Sequence, residues 1–334
     1  MPALTAHRLD LTVEALTPVE LNEHQGAALR GALFEALRGQ ERGPWSGFCA
    51  QKHLPSCAAC SLAAACPVAA LVSTLDPAAE RGRDLPRPYV IDPPLDGRTR
   101  LAAGERLTFG LTLFARALQL FPYVILALKA WEQVGLGKRV ESIGWRRGRV
   151  RLVQAVAVNP LTGARQEVLR PGETLVQVPD IPVTEAQVRV VAEQLPATRL
   201  ALQFQTPTRL IEQGRLLKAP DFRPLFHRLW QRIEELRRTF GEGSDPMPEE
   251  AEAEKYRLVG LAQGVHLAED GTRWVELESY STRQRRPTPI GGLVGRAVYE
   301  GDLTPFLPWL VWGCFTHVGK DAVKGNGAYA IHDA

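Results

Sequence analysis

The chain has 334 residues, 45% of them hydrophobic and 23% charged, with 40 Lys and Arg against 37 Asp and Glu. That length suits about two domains with cores of their own, and a net charge of +3 permits a nucleic-acid partner without demanding one. The opening MPALTAHRLDLTVEAL lacks the continuous apolar run of a secretory signal, so a cytoplasmic location is expected.

In chain order, HRLDLTVEAL (7–16) alternates polar and apolar residues as a strand does, and HQGAALRGALFEALRG (24–39) carries Leu29, Leu33, Phe34 and Leu37 at helical spacing. Residues 40–86 read as irregular. The most apolar window, 107–128, is interrupted by Arg116, Gln119 and Pro122, which excludes a membrane span. It divides instead into a strand (106–115) and a helix (122–137), and a further strand covers 148–159. The Pro-rich stretch 170–198 reads as a linker. Beyond it come a strand (200–210), an amphipathic helix (221–241) and an acidic solvated loop (242–254). Strands near 255–266, 273–283 and 290–299, a short helix (303–312) and a last strand complete the chain. Two α+β halves that each begin strand then helix suggest tandem ferredoxin-like modules, 1–185 and 196–334, the first carrying a Cys-rich insertion at about 40–86.

Cys49, Cys57, Cys60 and Cys66 give C-x7-C-x2-C-x5-C, four of the five cysteines in one short stretch. In a cytoplasmic protein such clustering points to a metal rather than to disulfides. The ligands suit either Zn2+ or a 4Fe-4S cluster, both open at this stage, and with four protein thiolates the centre would be structural.

Two arginine rows stand out by period two: Arg147, Arg149 and Arg151 in GWRRGRVRL, and Arg283 and Arg285 in STRQRR. Together with GKDAVKGNGAYAI (319–331) they suggest a track for a phosphate backbone. The glycine-rich stretch is not a P-loop, because Asp321 follows Gly319-Lys320. Nor does it fit a dinucleotide fingerprint, which must open a helix. No RNP-like aromatic pair is evident for stacking bases. Of seven histidines, His24 begins the first helix, His53 follows Lys52 in the cysteine segment, and His317 precedes the glycine stretch. Imidazole has the near-neutral pKa that proton transfer at a ribose hydroxyl or a leaving oxygen needs.

The stretch IGGLVGRAVYEGDLTPFLPWLVWGCFTHVGKDAVKGNGAYAI (290–331) resembles the end of the CRISPR-associated repeat-RNA processing endoribonucleases of the RAMP superfamily. LRGALFEAL (29–37), CPVAALV (66–72), RGRDLPRPYVIDPPL (81–95) and TPTRL (206–210) are similar to other parts of that family. The resemblance implies two ferredoxin-like domains and metal-independent cleavage of the repeat in precursor CRISPR RNA. In that reaction a ribose 2′-hydroxyl attacks the adjacent phosphate, leaving a 2′,3′-cyclic phosphate and a 5′-hydroxyl. His24, His53 and His317 are then the candidate catalysts. Lys52, Arg147, Arg149, Arg151, Arg283, Arg285, Gly319, Lys320, Lys324, Gly325 and Gly327 are the candidate RNA-binding residues. The expected partner is CRISPR repeat RNA, with subunits of a CRISPR effector complex as further partners. The alternative reading is a RAMP subunit that binds CRISPR RNA without cutting it.

Overall fold

The computed structural model describes residues 3–40, 44–54, 57–72, 86–241, 249–281 and 286–334. It divides into two units. One comprises Ala6–Pro182, and the other Val183–Ala334 together with the first five residues.

The first unit runs β1 (Ala6–Ala15), β2 (Val19–Glu20), α1 (Gln25–Arg38), α2 (Pro67–Val72), β3 (Tyr89–Asp92), β4 (Arg100–Leu101), β5 (Arg106–Phe114), α3 (Phe121–Lys129), α4 (Trp131–Val134), β6 (Leu136–Val140), β7 (Arg146–Gly148), β8 (Val150–Asn159) and β9 (Ala164–Leu169). Its antiparallel sheet has the order β3-β5-β1-β8-β9. The alternation read in the sequence of β1 becomes an alternation of burial: Leu9, Leu11 and Val13 point into the core. Leu29, Leu33 and Leu37 of α1 and Val124, Ile125 and Leu128 of α3 are buried with them. Each such side chain contributes about 1.5–3 kcal/mol of transfer free energy. Phe109 stacks on Trp131 with ring centroids 5.7 Å apart.

The second unit runs α5 (Glu185–Glu193), β10 (Arg199–Thr208), β11 (Ile211–Glu212), β12 (Arg215–Leu216), α6 (Phe222–Phe240), α7 (Glu249–Leu261), β13 (His266–Val275), β14 (Glu278–Ser281), β15 (Arg286–Pro289), β16 (Gly292–Glu300), α8 (Leu307–Thr316) and β17 (Tyr329–His332). Its antiparallel sheet has the order β13-β16-β10-β17. Phe222 and Phe226 of α6 meet Phe306 edge-on at 5.1 and 4.7 Å, and Phe222 also meets Tyr299 at 5.3 Å. The hydroxyls of Tyr299 and Tyr329 donate to the carbonyls of Pro220 and Leu310, each at 2.7 Å. Burial raises both phenols well above the usual tyrosine pKa, so they remain donors.

Counting each unit's main sheet strands along the chain, the second unit's order reads second-third-first-fourth and the first unit's reads the same with a fifth strand, β9, added at the edge, with helices in the two crossovers. The chain is thus a mixed α+β protein built on antiparallel sheets. Among the described residues no helix is long and apolar enough to cross a membrane.

Three expectations need correction. The stretch taken as a Pro-rich linker contains α5, begun by a capping box in which Thr184 and Gln187 each bind the other's backbone N–H. The acidic segment read as loop and then strand forms α7 from residue 249 to 261. Its Ala, Glu, Lys and Leu are strong helix formers, and Glu249, Glu250 and Glu252 lie in the first turn, where the helix dipole favours negative charge. Finally, Arg147, Arg149 and Arg151 do not share one strand face: the chain passes from β7 to β8 between them.

Candidate functional site

In the first unit the candidate residues gather at the C-terminal turn of α1. Gly39 and Gly47, at φ 81° and 63°, let the chain fold back on itself, and a Cβ on either would overlap the other's backbone neighbourhood. The returning segment is pinned by three bonds. Trp45 Nε1 donates to the Ala36 carbonyl at 2.6 Å, the Phe48 N–H to that of Leu37 at 2.8 Å, and Arg38 Nη2 to that of Lys52 at 2.8 Å. Phe48 packs edge-on against Tyr123 of α3, centroids 5.2 Å apart. Lys52 is thereby held half-buried beside the helix end, with His53 exposed next to it.

On the same turn of α1, Glu35 receives Arg147 of β7 at 2.6 Å. Arg151 pairs with Glu14 at 3.1 Å, and Arg106 reaches the same carboxylate at 3.3 Å. These contacts, that of Arg151 foremost, hold the half-buried Glu14 carboxyl below the usual glutamate range. Arg149 remains exposed, its backbone N–H donating to Thr17 Oγ1 at 2.9 Å. Arg147 and Arg151 are therefore engaged by carboxylates, whereas Arg149 is available at the surface.

His24 lies at the other end of α1. Its Nδ1 accepts the N–H of Ala27 at 3.3 Å, an N-cap contact that places the neutral ring's proton on Nε2, and the residue is only 7% exposed.

The cysteine segment consists of short turns that lead into α2. Residues 57–59 and 63–65 coil into short 3-10 turns, and the Cys66 N–H donates to the Ala63 carbonyl just before α2. All four thiols are free and half-buried, and that of Cys60 donates to Gln51 Oε1 at 3.5 Å. Among the described residues no three His, Cys, Asp or Glu side chains come together as metal ligands.

In the second unit the glycine-rich stretch joins α8 to β17. His317 ends the helix at φ 57°, wholly buried, with Nδ1 3.2 Å from the backbone oxygen of Asn326. Asn326, also wholly buried, donates from Nδ2 to the Ile290 carbonyl at 2.8 Å. Gly319 and Gly327, at φ 86° and 74°, lie so close to the carbonyls of Arg209 and Val318 that a Cβ would overlap them. The N–H groups of Lys320, Lys324, Gly325 and Gly327 donate to the carbonyls of Arg209, Asp321, Ala322 and Pro207. Those amides are consumed by the loop's own architecture, so an incoming phosphate meets charged side chains there rather than a cradle of N–H groups. Lys324 is paired with Asp321 at 2.8 Å, whereas Lys320 is exposed.

Sequence reasoning missed two cations beside that loop. Arg209, whose carbonyl receives the Lys320 N–H, lies over the Trp274 ring at 5.7 Å, and exposed Lys218 caps the same ring at 3.4 Å. Arg209 stood in the quoted TPTRL motif, but nothing in the sequence joined it to Lys218 or to Trp274 of β13. Arg283 and Arg285 lie outside the described residues.

Comparison with known proteins agrees with this division. The AF_1859_N N-terminal domain matches residues 4–181, and the CRISPR-associated endoribonuclease Cas6 matches residues 202–329. Similar solved structures include a Thermus thermophilus Cas6, 15% identical over 99% of this chain and 100% of that one, with a TM-score of 0.54. A Cas6 product complex is 16% identical over 98% and 99% of the two chains, with a TM-score of 0.55. A partial Cas6-RT-Cas1–Cas2 complex gives 13% identity over 100% of this chain and 46% of that one, with a TM-score of 0.55. At these identities the likeness is one of fold. No curated protein sequence matches the chain.

Proposed function

We propose that this chain, whose residues 202–329 match the CRISPR-associated endoribonuclease Cas6, cleaves the repeat in precursor CRISPR transcripts to release mature CRISPR RNA. Its two units are read as ferredoxin-like, and CRISPR repeat RNA is its substrate. The carrying observation is the tethered turn after α1, which sets exposed His53 beside Lys52 at a helix end rich in other cations.

The chemistry needs no metal. Neutral His53 accepts the proton of a ribose 2′-hydroxyl, whose oxygen attacks the adjacent phosphorus. Lys52 offsets the charge that develops on the phosphorane oxygens. The P–O5′ bond breaks, the 5′ oxygen leaves as a hydroxyl with a proton from water, and the other fragment ends in a 2′,3′-cyclic phosphate. The cations around the glycine-rich loop, Lys320, Arg209 and Lys218, hold backbone phosphates.

Incubation with its own repeat RNA in EDTA tests the reading. A 2′,3′-cyclic product is expected, and His53→Ala should slow cleavage by about 10²–10⁴-fold, the worth of one acid–base group, with affinity kept. A specific observation favours the second reading, an RNA-binding RAMP subunit without catalysis: His24 and His317, the other candidates, are both buried. Tight binding of repeat RNA that stays intact would establish that reading and overturn the first.

A further inference from the structure

Strands β6 and β7 form a hairpin of their own, with Arg139 opposite Arg147 and Val140 opposite Arg146. Its base is fixed. A Cβ on Gly137 or Gly148 would overlap the carbonyls of Glu20 and Pro18, so only glycine lets the hairpin sit against β2, and Arg147 ties its second strand to Glu35 of α1.

The tip is the opposite. After the turn Glu141–Ile143 and left-handed Gly144 comes Trp145 at φ 57°, 62% exposed. Its N–H is bonded to the Val140 carbonyl at 3.0 Å, which holds the backbone in this conformation. A bulky aromatic in the left-handed region is a genuine outlier, and such strain concentrates at ligand clamps. Lys138 and Arg139 of β6, Arg146 of β7 and Arg149 just after it are all exposed, and none has a carboxylate partner among the described residues. The acidic residue of the turn is Glu141.

We infer that this hairpin tip is a binding site for an unpaired nucleotide, with Trp145 stacking on the base and Lys138, Arg139, Arg146 and Arg149 contacting the flanking phosphates. An exposed indole offers its face to any base but cannot reach one inside a duplex, so the site selects single-stranded RNA without reading its sequence. Glu35 and Arg38 of one α1 turn hold the hairpin and the Lys52 carbonyl respectively, so the stacked nucleotide lies on the same side of the unit as His53. The inference rests on the RNA-binding reading above and adds the strandedness and the position of the bound segment.

The test measures affinity for a single-stranded repeat oligonucleotide and for a blunt RNA duplex. Trp145→Ala should weaken single-strand binding about tenfold, within the range for loss of one stacked base, and leave duplex binding unchanged. Trp145→Phe should retain most of the affinity. Trp145→Gly separates binding from folding: with the φ strain removed it should melt at a higher temperature yet bind as weakly as the alanine variant. Lys138→Ala and Arg146→Ala should each reduce the slope of log affinity against log salt by about 0.7. Intact single-strand affinity in Trp145→Ala would overturn this inference alone, whereas a wild-type protein that binds no RNA would overturn the family reading with it.

Discussion

His317 Nδ1 and the backbone oxygen of Asn326 lie 3.2 Å apart, with both residues wholly buried. The contact closes the glycine-rich loop on the end of α8 and gives this histidine a structural task. Replacing His317 with Ala would leave a buried carbonyl without that donor, a loss of about 1–3 kcal/mol. Urea unfolding should show that loss, whereas single-turnover cleavage of bound RNA, measured well below the melting temperature, should stay within about threefold of wild type, far from the loss of an acid–base group. A collapse of the cleavage rate with unaltered stability would make His317 a catalyst instead.

The glycines of the same loop make a second case. Gly319 and Gly327 combine positive φ with a carbonyl where a Cβ would stand, whereas Gly144 has positive φ and open space around it. Gly144→Ala should therefore cost about 1–2 kcal/mol, the left-handed penalty alone. Gly327→Ala should cost more than that in the same unfolding measurement, because the Val318 carbonyl must also move.

What was legible in the sequence followed from local pattern. Alternation in 7–16 and helical spacing in 24–39 and 221–241 placed β1, α1 and α6 to within a residue or two. Errors arose where a local signal was overridden or read too narrowly. Glutamates that suggested a solvated loop were instead the first turn of α7, and a capping box at Thr184 lay unread inside a proline-rich stretch. For the site, sequence offered residue types but not their burial. His24, His53 and His317 were equal as letters, and only packing set exposed His53 apart. In the Lys218–Trp274–Arg209 group, Trp274 lies more than fifty residues along the chain from both cations, so no spacing rule could have found it.

That group supplies a third prediction. Lys218 and Lys320 are exposed, and Arg209 is fixed by its bond to the Gly291 carbonyl at 3.1 Å. If they carry backbone phosphates, Lys320→Ala and Lys218→Ala should each lower RNA affinity irrespective of sequence. Each should also reduce the salt slope by about 0.7 for a single-stranded contact. Equal slopes for wild type and both variants, from titrations at several salt concentrations, would remove the loop from the RNA path.

A fourth prediction concerns pH. His7 of β1 is 8% exposed, and burial lowers its pKa below the usual 6.5, with Asp180 opposing the shift more weakly. The folded state therefore favours the neutral ring and binds fewer protons than the unfolded chain as the medium acidifies. The resulting stability is complete above the unfolded pKa of about 6.5 and is lost as pH falls below it toward the folded value. The melting temperature should drop between pH 7.5 and 5.5, and His7→Gln should flatten that drop. An unchanged pH profile in the variant would assign the sensitivity to other groups. His227, which burial also lowers and which lies 3.9 Å from Glu212, is the next to substitute.

The fifth prediction tests the joint between α5 and α6. Arg237 donates to Glu234 at 2.6 Å and to Glu185 at 2.8 Å, with the Arg237 and Glu234 side chains each 8% exposed. A buried ion pair is a weak source of net stability, but breaking it from one side leaves a charge stranded. Arg237→Ala should thus cost about 3–5 kcal/mol, partly through lost packing of its guanidinium over Trp309 at 5.0 Å. Arg237→Met with Glu234→Leu should recover most of that loss, since no buried charge then lacks its partner. Urea midpoints of the single and double variants decide the point. A double variant as unstable as Arg237→Ala would mean that the loss comes from the Arg237–Glu185 pair between α6 and α5 rather than from a stranded carboxylate.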